Sequence, residues 1–105
     1  MKTQTNTIEG TETVLARETP IPGLVITGYR GGYTITHVAS GHRVCWASVY
    51  NYNATLEQIR NAMLAASSID VASSAIIDWT VDADQLPTHQ CSDWVSAFGG
   101  FLAHM

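Results

Sequence analysis

Residues 24–50 read LVITGYRGGYTITHVASGHRVCWASVY, and their alternation of apolar and polar side chains decides the fold class. Gly31-Gly32 and Ser40-Gly41 interrupt that alternation with residues suited to tight reversals, so the segment reads as three antiparallel strands. Two-residue turns at both places would set Ile26 opposite His37 and Ile35 opposite Trp46. One face then carries Leu24, Ile26, Gly28, Tyr33, Ile35, His37, Val44, Trp46 and Tyr50, and the other carries Val25, Thr27, Tyr29, Thr34, Thr36, Val38, Arg43, Cys45 and Ala47. The first set is the more aliphatic and is the expected core side, with the Trp46 indole filling the space beside Gly28. Thr27, Thr34 and Thr36 form a hydroxyl patch for water or a partner to cover.

A cover for the apolar face follows at once. Thr55-Leu-Glu-Gln58 fits a capping box, and Leu56, Ile59, Met63 and Ala66 then recur with helical spacing. The expected architecture is α+β: an antiparallel meander of three to five strands, one main helix packed on one face, and a C-terminal helix. Residues 1–8 are polar and expected to fray, and residues 9–105 form one domain. Within it, 9–17 read as a weak edge strand, and Pro20, Pro22 and Gly23 as a stiff connector. Residues 69–82 are ambiguous: Val71, Ala75 and Asp78 have the spacing of a short helix, whereas Ile77, Trp79 and Val81 alternate like a strand, and a short fifth strand over residues 75–81 is expected. Ser92 is placed to cap a last helix whose apolar face holds Trp94, Val95, Phe98, Phe101, Leu102 and Met105. Gly99 and Gly100 inside that helix each weaken it by about 1 kcal/mol relative to alanine.

The chain has 105 residues, 46% hydrophobic and only 13% charged, with a net charge of −4. All five Lys and Arg lie at or before Arg60, while Asp70, Asp78, Asp82, Asp84 and Asp93 follow without a basic residue among them. Such an acidic half lacks the clustered cations that nucleic-acid phosphates require. The N-terminal MKTQTNTIEG has no apolar run and no segment approaches a membrane span, so a cytoplasmic protein is expected. Cys45 and Cys91 are too few for a disulfide framework and are expected to be free thiols.

No catalytic motif appears, and no catalytic residue, cofactor or metal is expected. His42, Cys45, His89 and Cys91 offer a zinc-type donor set, but their spacing does not fit the usual knuckles. Asp78, Asp82 and Asp84 lack the glycine-bearing calcium loop. His37 reads as a hydrogen-bonded core histidine. Recognition residues are the better prospect: Tyr29, Arg30 and Arg43 near strand ends, and Asp78, Asp82 and Asp84 in the acidic half.

The segment Tyr33-Thr-Ile-Thr-His37-x-x-Ser40-Gly41-x-x-Val44, followed by a helix and then Asp78-Trp79, resembles small phage and prophage proteins. The resemblance covers about half the chain and leaves out the first 20 residues and the last helix. It implies a mobile-element origin, in which small acidic proteins, anti-CRISPR and other anti-defence proteins among them, bind a host complex stoichiometrically. The resulting expectation is a non-catalytic inhibitor of a bacterial host protein or complex, with no direct nucleic-acid or membrane contact. The alternatives are a sponge for a nucleotide signal held by Arg30, Arg43 and tyrosines, and an assembly subunit dimerising through its aromatic last helix.

Overall fold

A computed structural model describes residues 2–7, 10–28, 32–68 and 77–105, with residues 2–7 and 10–14 described by their backbone alone. The strands are β1 (Lys2–Thr7), β2 (Gly10–Glu18), β3 (Leu24–Thr27), β4 (Thr34–His37) and β5 (Arg43–Trp46), in the spatial order β1-β2-β3-β4-β5. Every neighbouring pair is antiparallel. The α+β meander expected from the glycine reversals is therefore present. Lys2–Thr7, expected to fray, pairs with β2 instead, from Lys2↔Leu15 to Thr7↔Gly10. Threonines at alternate positions there favour extended backbone, and pairing with β1 makes β2 an interior strand rather than the edge.

Between β3 and β4 the register is Leu24↔His37 and Ile26↔Ile35, two residues from the expected pairing. A shift of two keeps every side chain on its expected face. Between β4 and β5 the outcome differs. Gly41, in the left-handed region at φ +73°, sits in the five-residue loop 38–42, where its N–H donates to the His37 carbonyl at 2.8 Å. The register then slips between Thr36↔Arg43 and Ile35↔Cys45, so Val44 bulges out of the ladder. That odd shift turns β5 over. Cys45 enters the core opposite Ile35, and Trp46 leaves it, 46% exposed, with the Arg43 guanidinium 5.1 Å over its ring.

The threonines of the other face are covered as well. Thr27, Thr34 and Thr36 are buried, and the Thr27 and Thr36 hydroxyls bond each other at 2.9 Å. The hydroxyl patch is thus an internal seam and not a surface awaiting a partner.

Tyr50, expected on β5, belongs instead to a single helical turn, α1 (Ala47–Tyr50). The main helix, α2 (Leu56–Ala66), begins as its capping box dictates: Gln58 N–H donates to the Thr55 hydroxyl at 3.1 Å, and Thr55 N–H to the Gln58 side chain at 2.9 Å. Ile59, Ala62, Met63 and Ala66 on its inner face are fully buried, in one core with Ile26, Ile35 and Cys45. The last helix, α3 (Thr88–Ala103), packs against α2 and contributes Trp94, Phe98 and Leu102 at i, i+4 and i+8. It starts one turn before Ser92, behind Pro87, and no side chain caps it. Proline fixes its own φ near helical values and ends the preceding extended stretch, so it starts the helix without a hydroxyl cap. Phe101 and Met105, expected on the apolar face, remain 41% and 45% exposed.

No strand forms over residues 77–81; the rest of the expected fifth strand lies outside the described residues. The Asp78 carboxylate accepts from both the N–H and the hydroxyl of Thr80, and that local turn competes with extension. Trp79 is thereby dropped into the core against Trp94, at a centroid distance of 5.3 Å.

Candidate functional site

The turn at Asp78–Thr80 and the loop after β4 meet above the first half of α3. Between them lies a cleft of about 550 Å³ lined by residues that include His37, Ser40, His42, Val44, Leu86 and Val95. Trp79, Ala83, Thr88, Cys91, Ser92 and Ser96 also line it. Val44 reaches this lining as the bulged residue of β5, so the irregularity that reverses Cys45 and Trp46 also shapes the cleft.

One imidazole ties the walls together. His37 is 2% exposed. Its Nε2 lies 2.8 Å from the Trp79 backbone oxygen and its Nδ1 lies 2.6 Å from the Ser40 hydroxyl oxygen. A carbonyl only accepts, so Nε2 carries the proton of the neutral ring and Nδ1 accepts from Ser40. The Ser40 oxygen in turn accepts the His42 N–H at 3.2 Å, which directs its own hydrogen toward the ring. The Trp79 carbonyl is fixed from below too, because Gly23 packs against it so closely that a Cβ there would collide with Trp79 and Thr80 backbone atoms.

Cys91 lines the same cleft, and partial burial pushes its thiol above the ordinary value. Cys45, in the core, is pushed up to about 12 by burial. Both are free thiols. Cys45 is buried in the core while His42 is exposed, and among the described residues no three His, Cys, Asp or Glu side chains converge on a metal-sized site.

The recognition residues named from the sequence are dispersed. Tyr29 and Arg30 lie outside the described residues. Arg43 is exposed but spent on the Trp46 ring, away from the cleft lining. Asp78, Asp82 and Asp84 are exposed on the loop whose Ala83 and Leu86 line the cleft. Asp78 is held below the ordinary carboxylate range by the Thr80 hydroxyl first and the Thr80 N–H second. It shapes the loop; Asp82 and Asp84 are its outward carboxylates. Ser40 was not among the sequence candidates. Its only signal was its place three residues after His37, across a glycine-bearing turn.

The class defined here is an antiparallel α+β meander protein with a single imidazole bridging the two walls of a cleft. Compared with known proteins, the chain matches no family model, no curated protein and no solved structure. Among the described residues, no helix is long and apolar enough to cross a membrane.

Proposed function

We propose that the cleft between the β4–β5 loop and α3 binds a small, uncharged and largely apolar molecule. The supporting observation is its volume of about 550 Å³, which falls within the range of ordinary ligand sites. Val44, Leu86 and Val95 give it apolar walls, and the hydroxyls of Ser40, Thr88, Ser92 and Ser96 give it points for orientation. Among the described residues no Lys or Arg lines it, and Arg43, half of the arginine fork that a nucleotide signal would use, lies over the Trp46 ring instead.

A fragment screen by protein-observed NMR tests the reading. Neutral aromatic and short alkyl fragments are expected to shift amides of Val44, Ser92 and Val95 and to raise the melting temperature. Val95→Trp, which fills the space, is expected to abolish both effects. Shifts confined to other surfaces would refute it.

A second reading, inhibition of a bacterial host defence protein by direct binding, is supported by the exposed carboxylates of Asp82 and Asp84 in a half-chain without basic residues. Pull-down from bacterial lysates with the natural sequence and with the Asp82→Lys, Asp84→Lys double variant tests it. One dominant partner, lost on charge reversal, is the expected result, and its absence in hosts carrying such systems counts against it.

A further inference from the structure

We propose that Ser40 is an acyl-accepting nucleophile, with His37 as its general base and the Trp79 carbonyl as the group that orients the base. The inference rests on the cleft being a ligand site and adds a reaction to it. Three linked observations carry it: a hydroxyl 2.6 Å from Nδ1, the opposite nitrogen 2.8 Å from a carbonyl, and the serine and the ring both lining the cavity. This is the nucleophile–base–orienter relation of covalent hydrolases. Sequence motifs do not reveal it, because the third member is a backbone atom 42 positions from the histidine.

The orientation is over-determined. Nε2–H is held by a carbonyl that Gly23 fixes from the other side, so the ring cannot present its proton to Ser40 while that bond stands. Nδ1 is left as the proton acceptor. Partial burial pushes the thiol of Cys91, in the same lining, above its ordinary value and makes it a poorer nucleophile. The first turn of α3 lines the cleft at Thr88 and carries no side-chain cap.

The fitting substrate class is a small carboxylic ester with an apolar acyl group. The Ser40 oxygen adds to the ester carbonyl carbon as its proton passes to His37 Nδ1. The tetrahedral adduct collapses, the carbon–oxygen bond to the alcohol breaks, and the departing oxygen takes the proton from Nδ1. Water then adds to the acyl-serine by the same route, its proton passing through Nδ1 to the Ser40 oxygen as the acid leaves. No oxidant, metal or cofactor enters the balance.

The test uses the full chain with p-nitrophenyl butyrate and with a fluorophosphonate probe, read by intact mass and peptide mapping. A single adduct on Ser40, with the ester consumed, is expected. Ser40→Ala is expected to lose labelling entirely, and His37→Gln to slow it by about 100-fold or more, the usual share of a general base. Mapping on the natural sequence decides the matter even where a variant fails to fold. Cleft amides shifted by the ester without a covalent adduct would overturn the nucleophile and leave the binding site standing. No shifts and no adduct would overturn both. An adduct on Cys91 or a tyrosine alone would overturn the assignment to Ser40.

Discussion

Nε2 of His37 donates to the backbone oxygen of Trp79 across 2.8 Å, joining residues 42 positions apart in the chain. The bond lies in a buried setting, where an unmade partner costs more than a made one gains. It fixes the distance between the β4–β5 loop and the acidic loop, and with it the width of the cleft. Gly23 stands on the other side of the same carbonyl at φ +92°.

Gly23→Ala is therefore expected to destabilise the protein by about 2–4 kcal/mol, from left-handed backbone strain plus displacement of the Trp79 carbonyl. Urea unfolding followed by tryptophan fluorescence measures it. An unchanged midpoint would show that the carbonyl moves freely.

The two glycines of α3 are expected to respond in opposite directions. A Cβ at Gly100 meets open space, so Gly100→Ala gains about 1 kcal/mol of helix propensity. A Cβ at Gly99 would enter the Tyr50 ring, which packs edge-on against Phe98. Gly99→Ala is expected to lose about 1–3 kcal/mol by overpacking, unless the ring swings away. Thermal melts of the two variants side by side decide it.

Cys45 makes stability fall with alkaline pH. Its thiol titrates near 9.0 in an unfolded chain and is pushed up to about 12 in the fold, so the folded state holds the proton more tightly. That contribution is fully present below pH 9.0 and is lost as pH rises toward 12. The expected slope is about 1.4 kcal/mol per pH unit in that window. Denaturant curves at several pH values should show it, and Cys45→Ala should flatten the dependence. Native Cys45 should also resist thiol reagents that reach Cys91.

Thr55→Ala is expected to cost about 1 kcal/mol, since it removes the hydroxyl that accepts the Gln58 N–H at the start of α2 and leaves only the bond from the backbone N–H of residue 55 to the Gln58 side chain. Thr55→Ser should retain most of the stability. Equal losses for both substitutions would mean that the cap is not what sets the helix start.

The sequence by itself determined the α+β class, the meander and the start of α2. These depend on alternation, glycine reversals and a four-residue cap, all of which act between near neighbours. It also placed Leu24, Ile26, Ile35 and His37 on the covered face, because a register error of two residues leaves that face unchanged. Tertiary structure decided β5. The Val44 bulge is a single unpaired residue that alternation does not announce, yet it exchanges Cys45 with Trp46 between core and surface. The turn at Asp78 likewise overrode an alternating pattern through one carboxylate and its Thr80 donors. The cleft came last of all: its bridging bond runs from an imidazole to a main-chain oxygen, and every residue type possesses such an oxygen. Local chemistry cannot mark which one will be chosen; only the packing of Trp79 against Trp94, with Gly23 beneath, brings it to His37.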